Sequence, residues 1–271
     1  MNGFILLSAG GASLFFDKTF AILKEYYPLL LQGAVTTVQI AILSTIIGFV
    51  IGLMIGVVKT IPMPQKGRTP RKLLQKFINF LLSVYIEVFR GTPMMIQAVM
   101  IFYGYSYITG RKLAPMLAAF IIVSINTGAY MAEVVRGGIE SIDRGQFEGA
   151  HAIGMSHTQT MLKVILPQTV RNILPATGNE FIINLKDTSV LNVISITELF
   201  FQTKTVATTT FAAFPTYTIA AVLYLILTFT TSRLLRLVEK KMGTRGSYKL
   251  NTTRRSRLME QETGEAKEVA V

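Results

Sequence analysis

Residues 29–58 run for 30 positions without a single Asp, Glu, Lys or Arg. A helix lying on a soluble core keeps a charged face. A run this long without one fits a helix that crosses a bilayer. At about 1.5 Å per residue it is longer than the hydrocarbon core, so it must tilt or protrude. Further uncharged runs cover residues 94–110, 113–132 and 211–232. Residues 168–191 are harder to place, because they hold Arg171, Glu180, Lys186, Asp187, Pro175 and several asparagines.

Charge distribution settles the count. The chain has a net charge of +12 with 15% charged residues, against roughly 25% in soluble domains. Six basic residues and no acidic one occupy 59–76, and ten basic with five acidic occupy the stretch from Arg233 onward. The only basic residues of the intervening candidate outer loops are Arg111, Lys112 and Lys204. Cytoplasmic loops are enriched in Lys and Arg, so both basic clusters belong inside. An even number of spans must separate them, which forces residues 168–190 to be counted. The expectation is an all-α membrane bundle of five spans, at 29–58, 77–109, 113–135, 168–190 and 212–235, with the N-terminus outside and the C-terminus inside. The basic excess then marks a membrane face near anionic lipid, not a nucleic-acid site. Residues 1–28 read as an extracytoplasmic segment, since the first sixteen lack a basic start and a clear cleavage site. Residues 241–271 read as a disordered cytoplasmic tail.

Composition excludes other classes. With no cysteine and only His151 and His157, a disulfide scaffold, a thiolate-bound metal and a multi-histidine metal site are disfavoured. No nucleophile–base set for an intramembrane enzyme is present, so no residue is read as catalytic and no metal site is expected.

An ionised group at mid-bilayer costs about 2.5–3.5 kcal/mol on insertion scales, so those inside the apolar runs are informative. Glu87 and Arg90 are three apart and can share a helix face. Gly91-Thr92-Pro93 follows at once. Pro93 removes a donor and disfavours helix at Thr92, so the 77–109 span should break or kink there. Transporters set such breaks against substrate; a simple proline kink with an interfacial ion pair is the other reading. Asn126 in the third span either glues helices or touches ligand. Glu133 and Arg136, also three apart, read as a structural pair. Asp187 with the hydroxyls after it suits an ammonium or guanidinium, and Arg90 suits a carboxylate. Together they would hold a zwitterion.

The segment between spans three and four carries the most specific pattern. Glu148-Gly149-Ala150 is followed after three residues by Gly154, and after nine more by Val164-Ile165-Leu166-Pro167. Small residues at Gly149, Ala150 and Ala152 let a short helix sit in a partner's groove, Gly154 ends it, and Pro167 restarts the chain. This resembles the Glu-Ala-Ala loop of ATP-binding-cassette importer permeases, with Gly149 and Val164 as mild departures. Gly33-Ala34-Val35-Thr36-Thr37-Val38, Arg90-Gly91-Thr92-Pro93, Gln97, 129–133, 136–139 and Lys186-Asp187-Thr188-Ser189 look like the polar amino acid subfamily (histidine, arginine and glutamine permeases).

That resemblance implies the type I importer permease fold, a permease domain over 29–240, and a coupling loop over 137–167. It implies substrate contacts at Arg90, Asn126 and Asp187, with Glu87, Asn184 and Thr188 beside them. Coupling to the ATPase would use Glu148, Gly149, Ala150, Gly154 and Pro167. The implied partners are cytosolic ATPase subunits, an extracytoplasmic amino-acid-binding protein, a second permease subunit, an amino acid and the bilayer of a bacterial inner or plasma membrane. No Gly-x4-Gly-Lys-Ser/Thr sequence occurs, so no cofactor is expected in this chain, and ATP with its magnesium belongs to the ATPase. An ion-coupled secondary amino acid transporter is the alternative, but it would leave the coupling loop without a purpose.

Overall fold

The computed structural model describes residues 9–62 and 70–241, and these contain helices and no strand. The basic residues Lys66 and Arg68, the first eight residues and the tail after Lys241 lie outside the described residues. Helix α1 (Ala9–Lys59) takes in the long uncharged run. Helices α2 (Pro70–Gly91) and α3 (Met94–Thr109) together cover the second expected span. Helix α4 (Pro115–Glu140) follows. Short helices α5 (Arg144–Ala152) and α6 (His157–Thr160) lead through a π-helical turn (Met161–Ile165) into α7 (Leu166–Asp187). A 3-10 segment (Thr188–Ile194), α8 (Leu199–Thr210) and α9 (Ala213–Lys241) complete the order. Among the described residues, three helices are long and apolar enough to cross a membrane, in Leu14–Lys59, Pro115–Glu140 and Ala213–Lys241.

Helix α1 starts well before Leu29, and tertiary packing explains it. Ile22, Leu30 and Ala34 are buried against Leu199, Val206, Ala212 and Ile219 of the α8–α9 region. The Phe15 and Phe214 rings lie 5.2 Å apart. Pro28 sits inside this helix without ending it.

Helices α1 and α4 form the central pair. A Cβ at Gly48 would come within 2.6 Å of Thr127, and one at Gly56 within 2.5 Å of Val135; at Gly52 it would fall onto Met131. The glycines recur every fourth residue and so do the side chains they receive. This is close helix approach through small residues, the packing that serves where lipid supplies no hydrophobic drive between helices. Asn184 of α7 joins the pair from the side, donating to Thr45 Oγ1 at 2.8 Å and Thr127 Oγ1 at 3.0 Å.

At the α8 end, the fully buried Glu198 caps that helix by accepting from Phe200 N at 2.8 Å and Phe201 N at 2.7 Å. The Tyr224 hydroxyl donates to it at 3.0 Å. A carboxylate at a helix N-terminus satisfies orphan donors and complements the dipole.

Candidate translocation site and coupling segment

The site is built around the gap between α2 and α3. Pro93 has no N–H, so the carbonyl of Phe89 loses its helical donor. Two side-chain amides replace it. Gln97 Nε2 donates to Phe89 O at 2.9 Å and also to the Thr92 carbonyl and hydroxyl. Asn126 Nδ2 donates to Phe89 O at 3.3 Å and to Gln97 Oε1 at 2.9 Å. The break expected at Thr92–Pro93 is therefore present, and it is braced from α3 and α4.

A cavity of about 480 Å³ opens beside the break, lined by Arg90, Thr92, Asn126, Tyr130, Glu180 and Asp187 among others. Three of the expected substrate residues, Arg90, Asn126 and Asp187, thus meet in one place. The other three are placed differently. Glu87 is exposed on α2 and does not line the cavity. Asn184 is buried in its bonds to α1 and α4, and Thr188 is buried with its hydroxyl on the Leu185 carbonyl at 3.2 Å. Helical phase is the reason. Position 184 lies on the inward face of α7 and 188 follows just past the helix end, while 180, 183 and 187 share the cavity face. Glu180 and Tyr130 were missed from sequence. Glu180 stands two turns before Asp187, and Tyr130 one turn after Asn126, so spacing was the available signal.

The i,i+3 pair of Glu87 with Arg90 does not form. Among the described residues the ion pairs are Lys59–Glu133 at 3.9 Å, Arg136–Glu133 at 2.8 Å and Arg136–Glu140 at 2.8 Å. Arg90 instead lies over the Tyr130 ring, 5.5 Å from its centroid. The Glu133–Arg136 pair expected from spacing is present. The Arg136 guanidinium donates to Glu133 Oε2 at 2.8 Å and to both carboxylate oxygens of Glu140 at 2.8 and 2.9 Å. Lys59 also donates to Ser83 Oγ at 3.2 Å, so this cluster joins the C-terminal ends of α1 and α4 to the middle of α2.

The segment carrying the Glu-Ala-Ala pattern is a helix–turn–helix. Asp143 caps α5 by accepting from Gly145 N at 2.7 Å. Gly154 takes φ of 80°, and its N–H bonds the His151 carbonyl at 2.9 Å, closing the helix as expected of a glycine. Ser156 and Gln159 form a capping box that opens α6. Ala150 is buried within this chain, whereas Glu148, Gly149 and Ala152 are exposed, so only part of the small-residue set faces outward. Glu148 borders a second cavity of about 680 Å³, with Lys59, Glu140, Arg144 and Phe147. Pro167 is the second residue of α7, which follows directly on the π turn, where Leu166 N reaches Met161 O.

A charged cavity at a broken helix, with a short helical pair at the end of the long apolar helices, fits a membrane transport permease. Residues 72–244 match the family described as the binding-protein-dependent transport system inner membrane component. The chain belongs to that family, and it is the permease component of an amino acid transporter of the ATP-binding-cassette type. It is 37% identical over 216 residues to the glutamine transport system permease protein GlnP of Escherichia coli, covering 79% of this chain and 93% of that one. It is 34% identical over 226 residues to a putative glutamine transport system permease protein of Rickettsia felis, covering 82% and 98%. The solved structure described as an amino acid ABC transporter with histidines superposes with a TM-score of 0.69 at 36% identity, covering 81% and 96%. The MetNI methionine transporter shares the fold, with a TM-score of 0.67 at 22% identity, covering 80% and 98%.

Proposed function

We propose that this chain forms the translocation path of an importer for polar amino acids, with cationic ones preferred, in a bacterial inner or plasma membrane. The observation that carries the reading is the charge set of one cavity: a single guanidinium, Arg90, with two carboxylates, Glu180 and Asp187. Arg90 takes the α-carboxylate, one carboxylate takes the α-ammonium, and the second is left for a cationic side chain. The relatives named as glutamine permeases favour an uncharged side chain, and Glu180 favours a charged one.

Five spans fit the helices, with α2 and α3 as two halves of one broken span and α7 as the polar one. The N-terminus is then outside, and the Lys59, Arg136 and α5 end is cytoplasmic. Arg171, Asn172, Asn179 and Lys186 are exposed on α7. Polar groups at membrane depth face protein or water, not lipid, which supports a second permease subunit across a wet path. The exposed Glu148, Gly149 and Ala152 at the α5 end support docking of cytosolic ATPase subunits, which drive the cycle with ATP and magnesium. A binding protein delivers the amino acid outside.

The test is ATP-driven uptake by the reconstituted complex with its binding protein, screened across the twenty amino acids. Arginine, lysine or histidine should lead. Arg90→Gln and Asp187→Asn should each lower uptake at least about tenfold, with assembly intact. Glu180→Gln should shift preference toward neutral substrates. Uptake driven by a proton or sodium gradient without ATP, or normal uptake by both variants, overturns the reading.

A further inference from the structure

We infer that Tyr130 is a positioning residue, which holds the Arg90 guanidinium away from the carboxylates of the same cavity so that it stays available to the carboxylate of the substrate. The inference rests on the proposed amino acid site. Its basis is an ion pair that is not made. Arg90 lines one cavity with Glu180 and Asp187, yet it enters none of the ion pairs among the described residues. Its guanidinium lies over the Tyr130 ring instead.

Local construction explains why. Asn126 donates to the Phe89 carbonyl and thereby fixes the end of α2 against α4. Tyr130 stands four residues further along the same face of α4. The next residue after Phe89 is Arg90, so the amide that anchors one residue sets the ring beneath its neighbour. The face of the ring attracts a cation through its quadrupole and offers it no carboxylate, the phenolic hydroxyl at the rim being neutral. The guanidinium therefore meets no competing anion in the ring, and its fork remains suited to a carboxylate. Closure of Arg90 onto Asp187 or Glu180 would neutralise both halves of the site, and a substrate would have to break that pair before binding.

Direct binding to the purified permease–ATPase complex, without the binding protein, tests this. The probes are arginine, lysine and glutamine, each beside its α-carboxamide, at mildly acidic pH where all carry an α-ammonium. The wild-type complex should prefer acid over amide at least about tenfold, as expected of a charge-assisted fork. Tyr130→Leu should reduce that ratio to about threefold or less, chiefly by weakening the acid, and Tyr130→Phe should restore it. Tyr130→Met keeps bulk without a ring and serves if the leucine variant does not assemble; it should behave as leucine does. An unchanged ratio in the leucine or methionine variant overturns the role of Tyr130. Equal loss in the phenylalanine variant overturns it too, because the ring would not be the agent. Which amino acid binds best reads the substrate class separately. Binding of none by the wild-type complex sinks the site itself, and the inference with it.

Discussion

Gln97 and Asn126 meet amide to amide at 2.9 Å, and both donate to the one carbonyl that Pro93 leaves without a helical partner. The helix break and its brace are one device. Pro93→Ala restores an N–H four residues after Phe89 and should make the brace partly redundant. Gln97→Leu alone should lower stability by about 1–3 kcal/mol, the usual consequence of stranding a buried acceptor. In the Pro93→Ala background the loss should shrink by about half or more. Surviving monodisperse protein after heating in detergent is the measurement. Equal losses in both backgrounds would show that the Phe89 carbonyl is not what the amide serves.

Asn184 and Asp187 are three residues apart and should fail in different ways. Asn184→Leu removes donors to Thr45 and Thr127 in the buried seam and should lower thermal stability by about 1–3 kcal/mol. Asp187→Asn alters an exposed cavity residue and should leave the melting temperature near wild type while uptake falls. Identical melting curves for the two variants would contradict the division.

Glycines should separate in the same manner. A side chain at Gly52 falls onto Met131, whereas one at Gly149 meets nothing within 4 Å. Gly52→Val should destabilise by about 1–3 kcal/mol or prevent assembly. Gly149→Val should insert and fold normally, yet weaken the stimulation of ATP hydrolysis by loaded binding protein. Normal stimulation in that variant would remove Gly149 from the coupling surface.

Glu198→Ala strips the α8 cap and leaves Tyr224 without its acceptor. Loss of about 0.5–2 kcal/mol is expected from the cap. Glu198→Gln keeps an acceptor oxygen and should lose less. If alanine and glutamine variants melt together, the carboxyl acts by charge alone.

Uncharged length announced α1, α4 and α9, because a bilayer filters sequences by apolarity more strictly than a soluble core does. Pro93 and Gly154 announced a break and a helix end, since both act through the local backbone. The start of α1 was not legible, because Ile22 and Tyr26 pack against residues far along the chain. The cavity set was half legible. Arg90 and Asp187 stand out as charges, but whether Asn184 or Glu180 joins them depends on the rotation of α7, which composition does not report. The repeat of Gly48, Gly52 and Gly56 is legible as well, since spacing by four is the mark of a close helix crossing.

That crossing has a mechanical meaning. Three notches on α1 each receive one side chain of α4, so sliding by a single residue would drive Thr127, Met131 and Val135 into neighbouring turns together. The two helices are geared and must travel as one mast. Asn184 ties α7 to the same mast, which leaves the two halves of the broken span as the elements able to shift against it. A covalent cross-link between α1 and α4 should leave transport running, while one between α7 and α2 should stop it.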